Sequence, residues 1–310
     1  MTVKSTSPKV QFLFAFGLCV ISQIQGLSQS PTRERQVGPV LTVSSEPGAI
    51  VWIDDIRRGK TDDAGRLAVM KLSHGGHRLR VRANGFKEAT VALVPGSRQA
   101  LVKLVRTTDQ AELLFQQAET AREGAVDEES RAEAVELYER ALKLRPAFPA
   151  ARIGLARLWL ELNEHDKALA EIDQARKVRR VFPEASAVEG RVHREAGYMD
   201  EAIRSFSRAI AEARGFQPEA HVGLARAYEE KGHYAEAVAE YRQAIEQLSE
   251  SEPVIYQLLG AVYEHVQKYK EAISAYEKYL QLAPNGSLAP ALRSILDQLR
   301  RDAAGQEIVP

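Results

Sequence analysis

Sulfur chemistry is nearly absent from this chain: one cysteine, Cys19, in 310 residues, and that one inside an apolar stretch near the front. A chain that loses this stretch has no thiol, which excludes a disulfide framework and a thiolate metal site and leaves packing as the source of stability. Net charge is absent too, with 42 Lys and Arg against 42 Asp and Glu. No apolar run reaches the roughly 20 residues that cross a bilayer as a helix. Phosphate-binding loops are missing, since Gly59-Lys60-Thr61 lacks the upstream glycine and the following helix that such a loop needs. The seven histidines are scattered. His74 and His77 flank a Gly-Gly turn, a weak two-ligand pair at most, and read as turn-exposed residues. No nucleophile, general acid or cofactor cradle stands out, so the sequence reads as a non-enzymatic chain that needs neither metal nor cofactor.

What charge there is falls in blocks. Residues 31–108 hold 14 Lys and Arg against 7 Asp and Glu, and residues 109–310 hold 26 against 35. Neither excess is clustered with stacking aromatics, so no nucleic-acid partner is expected. The local run Arg176, Lys177, Arg179 and Arg180 reads as the solvated end of a helix, where cations meet the negative end of the dipole. The first thirty residues contain no acidic group, place Lys4 and Lys9 in front, and then run apolar for 12 residues from Val10 to Ile21. That is the pattern of a secretory signal over residues 1–26, cut after Gly26. Ile24 is bulky for the third place before a cut, so a retained N-terminal anchor is the alternative, and with it the only expected contact with a membrane. Either way the expected location is extracytoplasmic, with 27–38 as a linker.

Between Pro39 and Arg106 short alternating runs take over: 40–43, 49–53, 67–72, 77–83, 89–94 and 100–105, separated by Gly, Pro, Asn and Asp. They predict six strands of a small all-β sandwich over 39–106. Glu46-Pro47-Gly48-Ala49, followed by Val51, Ile53, Asp54 and Asp55, then Gly59-Lys60-Thr61, Gly75-Gly76-His77 and Asn84-Gly85-Phe86, resembles the PEGA domain, with its name-giving tetrapeptide in altered order. The resemblance implies a structural or adhesive module without catalytic residues. Trp52 is either a core residue, the preferred reading, or a platform for a sugar or partner.

Beyond Asp109 the period changes. Pro149, Pro183, Pro218 and Pro253 follow one another in steps of 34, 35 and 35 residues. Counted from each proline, position eight is Ala156, Gly190, Ala225 and Gly260; position twenty is Ala168, Ala202, Ala237 and Ala272; position twenty-four is Ile172, Phe206, Tyr241 and Tyr276. Small residues recurring with bulky ones at such a period predict paired helices stacked into a solenoid. The pattern resembles the tetratricopeptide repeat (TPR), with repeats over 149–182, 183–217, 218–252 and 253–286. A degenerate repeat over 110–148 precedes them, marked by Ala134, Tyr138, Ala141 and Pro146, with its first helix at 114–121 and an enlarged loop at 124–130. Leu288, Leu292, Ile295, Leu296 and Leu299 give a capping helix over 287–302. The expected architecture is therefore a β sandwich followed by an all-α solenoid.

The TPR resemblance implies a protein-interaction scaffold whose groove, lined by positions two, five, nine and twelve, takes a partner segment. Position nine is Arg157, Arg191, Arg226 and then Ala261, and Arg194 lies one turn beyond Arg191. A ladder of guanidinium groups suits an acidic protein or peptide. The other reading, and the preferred one, is an internal network with Glu161, Glu195, Glu229 and Glu230. The Lys and Asn pattern of chaperone-binding TPR clamps is missing, so a chaperone tail is not expected. A structural envelope component, with the β domain on cell-wall or surface polysaccharide, is the alternative function. Glu240 reads as an interchangeable surface position.

Overall fold

Alternating burial shapes the first half of the molecule. In the computed structural model β1 (Leu41–Ser44) points Leu41 and Val43 inward, and β2 (Ile50–Ile53) buries Val51, Trp52 and Ile53, so both its faces are covered. These are followed by β3 (Ile56–Lys60), β4 (Arg66–Val69), β5 (His77–Arg82), β6 (Phe86–Lys87), β7 (Ala89–Leu93), β8 (Gln99–Leu101) and β9 (Val105–Arg106). The described residues are 41–306 without 55, 70, 71, 73–75, 215, 216 and 249–251. The expected signal or anchor at 1–26, the linker at 27–38 and His74 lie outside them. Strands β4, β1 and β8 form one sheet, β3, β2, β5 and β7 a second, and β6 pairs with β9. Leu41, Val43, Val51, Ile53, Leu79, Val81 and Leu93 make the core of this region.

Among the described residues nine strands stand where six were expected. The missing β3 carries Arg57, Arg58, Gly59 and Lys60, with too little alternation to read as a strand, because it is an edge strand that needs only one partner. The expected strand at 100–105 stops after Leu101. Val102 and Leu104 stay buried while Val105–Arg106 crosses to pair with Phe86–Lys87.

Eleven helices follow among the described residues: α1 (Gln110–Gly124), α2 (Glu128–Leu144), α3 (Pro149–Glu161), α4 (His165–Val178), α5 (Pro183–Glu195), α6 (Met199–Glu212), α7 (Pro218–Glu230), α8 (Tyr234–Gln247), α9 (Pro253–His265), α10 (Tyr269–Leu282) and α11 (Ala289–Gln306). Each repeating proline is the first residue of an odd-numbered helix, where its missing N–H costs nothing and its fixed φ suits the helix. Each turn between the helices of a pair passes through the left-handed region at the same place: Asn163 (φ 61°), Gly197 (86°), Gly232 (77°) and Gln267 (59°). The enlarged loop expected at 124–130 is a correction. Asp127 accepts the Ser130 N–H at 2.9 Å in a capping box, so α2 already begins at Glu128 and the connection is short.

Small residues meet bulky ones where the repeat pattern put them. A Cβ on Gly190 would stand 2.7 Å from the Phe206 ring, one on Gly223 2.4 Å from the same ring, and one on Gly260 2.5 Å from Tyr276. All three distances are below any real contact, so the ring occupies the space a side chain would take. Leu292, Leu296 and Leu299 of α11 join Tyr276 and Tyr279 in the terminal core. Gly190→Leu should therefore cost on the order of 1–3 kcal/mol or more through overpacking, read as a lowered melting temperature, while Gln243→Ala on the exposed surface of α8 leaves it unchanged. Equal midpoints for the two variants would contradict the packing described.

Candidate partner-binding surface

Ion pairs tie α1 to α3, α3 to α5 and α5 to α7. Arg122 of α1 reaches Glu161 of α3 at 3.4 Å, Arg157 of α3 reaches Glu184 of α5 at 2.7 Å, and Arg194 of α5 reaches Glu230 of α7 at 2.8 Å. The odd helices thus lie side by side, and the arginines of positions nine and twelve share the face they form.

The four arginines singled out by sequence have different surroundings. Arg157 is paired with Glu184. Burial alone would weaken its hold on the proton, but Glu184 and then Glu219 outweigh that and raise its pKa. Arg194 is shared between Glu230 and its neighbour Glu195, the latter at 3.4 Å. Arg191, half-buried, has no ion pair among the described residues. Its counterpart to Glu184 would be Glu219, which is exposed and acts on Arg157 instead. Arg226 has its pKa lowered, first by burial and then by Arg194, with Tyr241, Glu230 and Glu229 opposing. In the next helix the position equivalent to Glu184 is Val254. Glu229 accepts the Tyr241 hydroxyl at 3.1 Å. Glu161, expected beside Arg157, is instead the partner of Arg122.

At the other end of this face the β region sits on α1. Arg82 lies between two aromatic rings, 5.0 Å from the centroid of Trp52 and 4.7 Å from that of Phe115, and reaches Glu119 at 3.4 Å. Arg80 covers Trp52 at 4.4 Å. Gln116 donates to the Phe86 carbonyl at 2.9 Å and accepts the Gly85 N–H at 2.8 Å, while Arg57 pairs with Glu123 at 3.1 Å. Trp52 is left 9% exposed, which fits the core reading and removes it as an open platform. Sequence reasoning missed this joint because its members lie on separate elements with no shared spacing. Beside it, Arg78, Arg80 and Glu88 of the β region face Phe148, Phe182 and Glu184 across a cleft of about 320 Å³.

Glu119 is the electrostatic centre of the joint. Burial pushes its pKa up, but Arg122, Arg82, a hydrogen bond from Tyr138 and Arg157 together hold it at about 2. Among the described residues no group of three or more His, Cys, Asp and Glu is placed to hold a metal ion, and no helix is long and apolar enough to cross a membrane. His77 contacts Asp54 at 2.5 Å. Buried His221 is held by Glu240 at 2.5 Å, so Glu240 is not the interchangeable position the sequence suggested.

Comparison with known proteins agrees with this geometry. A tetratricopeptide repeat model matches residues 125–192 and 193–262, and a second matches 253–285. Among solved structures, PilW, described as a widely conserved type IV pilus biogenesis factor, superposes with a TM-score of 0.56 at 17% identity over 64% of this chain and 89% of its own. Pseudomonas aeruginosa PilF gives 0.53 at 14% over 63% and 87%. A thermophilic TPR protein of Thermus thermophilus gives 0.50 at 22% over 61% and 98%. The likeness is one of fold. Comparison with curated proteins returned no match.

Two outcomes follow for the joint and the array. Glu119 is depressed from an ordinary 4.5 to about 2, so the unfolded chain takes up its proton first as pH falls. Its contribution is present above about pH 4.5 and is lost between there and about 2, and is on the order of a few kcal/mol. Glu119→Gln should flatten the fall in melting temperature between pH 5 and 3; an unaltered slope contradicts this. Glu240→Gln should lower the midpoint at pH 7 by loosening buried His221, whereas a silent change would show that the pair carries no stability.

Proposed function

The chain belongs to the tetratricopeptide repeat family over residues 125–285, and on that premise we propose that it is a non-enzymatic interaction scaffold of the bacterial cell envelope or exterior, holding a protein or peptide segment against its row of odd helices. TPR proteins act as protein-interaction scaffolds. The observation that carries the reading here is the uneven neutralisation of the arginines. Arg157 and Arg194 already have carboxylates from neighbouring helices, while Arg191, one repeat on from Arg157, has no ion pair among the described residues and stands beside the unfavourable Arg194–Arg226 couple. A partner carboxylate at this place supplies the missing charge with two parallel hydrogen bonds. The acidic character proposed for the partner rests on this.

The extracytoplasmic location is supported by the acid-free first thirty residues, with Lys4 and Lys9 ahead of the apolar run. Retention of that segment would anchor the scaffold to a membrane. A PEGA-like role for the β region is supported by the Glu46–Ala49 turn, which Thr61 closes by donating to the Glu46 carbonyl at 2.6 Å and accepting the Ala49 N–H at 2.8 Å. Contact of this region with cell-wall polysaccharide has weaker support, because Trp52 is covered by two arginines.

A photo-crosslinking side chain placed in living cells at Val222, on the odd-helix face, should capture a defined partner that the same group at Gln243, on α8, does not. Capture from Gln243 alone, or equally from both, contradicts the groove reading. N-terminal sequencing of protein from fractionated cells should find a chain beginning near Leu27 outside the cytoplasm; an intact Met1 in the cytoplasmic fraction contradicts the location.

A further inference from the structure

The odd helices change chemistry along their row. Helices α5 and α7 present Arg191, Arg194 and Arg226. Helix α9 has no charged residue from Pro253 to Tyr263, although it stands in the same row. Charges on the sides that pack are paired with other helices, as Glu189 of α5 with Arg208 of α6 and Arg152 of α3 with Glu171 of α4. Arg191, Arg194 and Arg226 are half-buried at positions nine and twelve and keep part of their surface open; α9 offers Val254, 39% exposed, with Leu258 and Ala261 half-buried. Acids are removed from the same stretch by the core, since Glu229 and Glu264 accept the hydroxyls of Tyr241 and Tyr276 at 3.1 and 2.9 Å. Over one repeat the open face passes from cationic to apolar.

Resting on the groove reading above, we infer that the partner segment is divided along its length, with carboxylates over Arg191 and Arg226 and an aliphatic or aromatic side chain over Val254 and Ala261. The order is set by the array: the acidic end lies toward α5, the apolar anchor toward α9. Neighbouring helices are spaced by about 10 Å, which an extended strand spans in about three residues, so acid and anchor stand about three residues apart. Complementary charge fixes the register, and burial of the anchor against α9 supplies the apolar contact that the arginines cannot. Lowering of the Arg226 pKa by burial and by Arg194 agrees with a site that gains from an arriving anion.

The test uses phage-displayed random 12-residue peptides selected on the full chain, followed by affinity measurements with the synthetic consensus peptide. The expected consensus has one or two Asp or Glu on a fixed side of an aliphatic or aromatic residue, about three positions away. Arg191→Gln with Arg226→Gln should weaken the consensus peptide tenfold or more, as should reversing its sequence, and Val254→Asp should do the same with far-ultraviolet circular dichroism unchanged. If Val254→Asp loses helix content, Val254→Thr replaces it, with a smaller loss of affinity expected. A consensus with acids and apolar residues interspersed, or a reversed peptide that binds equally, overturns the division while leaving the groove. Selected peptides indifferent to all these substitutions overturn the groove reading itself, and a selection that enriches no peptide overturns the inference.

Discussion

Everything on the open face depends on one steric fact in the interior: a bulky residue at position twenty-four occupies the space of a missing side chain on adjacent odd helices. Phe206 contacts both Gly190 in its own repeat and Gly223 in the next, and Tyr138 lies against Gly154 in the same way. Dense packing of this kind leaves little freedom for the helices to slide. It brings successive odd helices side by side, and only then can Arg157 meet Glu184 and Arg194 meet Glu230. The interior also decides which acids remain for the surface. Where position twenty-four is tyrosine, its buried hydroxyl needs an acceptor, and Glu229 and Glu264 provide it from the twelfth position. Where it is Ile172 or Phe206, the twelfth position is Leu160 or Arg194. Hydroxyl and carboxylate come and go together, so the repeats with tyrosine commit their acid to the core.

The β region belongs to the same mechanical unit. All described residues fall in one compact unit, Gly38–Pro310, and Arg82 is the pivot, stacked between Trp52 and Phe115 while its guanidinium reaches Glu119. A cation between two rings with a carboxylate at its end gains from both contacts, and its planar shape makes lysine a poor substitute. The joint places the β region beside the first repeats, with Arg80 and Glu88 facing Glu184 at the start of α5.

Much of this was legible in the sequence, for reasons that differ by element. The repeat was clear because a period near 34 carries Gly190, Gly260 and the position-twenty alanines with it, and each proline marks a helix start. Strands with strict alternation, such as β1 and β5, were clear for the same kind of reason. The edge strand β3 was not, since an edge needs only half its contacts and tolerates Arg57, Arg58 and Gly59. Position nine identified the arginines as a set, but their differences depend on what the neighbouring helices present, as Glu184 of α5 does for Arg157. Such pairings form between repeats, across 27 to 39 residues (Arg157 to Glu184, Arg122 to Glu161), and no local pattern announces them. The Trp52–Arg82–Phe115 stack and the His221–Glu240 pair are hidden for the same reason, being products of the tertiary fold alone.

The central claim, that the open face of α5, α7 and α9 is where a partner binds, is tested most directly by hydrogen exchange on the full chain with and without its crosslink-captured partner segment. The account expects slowed exchange in α5, α7 and α9 and unchanged exchange in α4, α6 and α8. Protection confined to the even helices, or to strands β1 to β9, would contradict it.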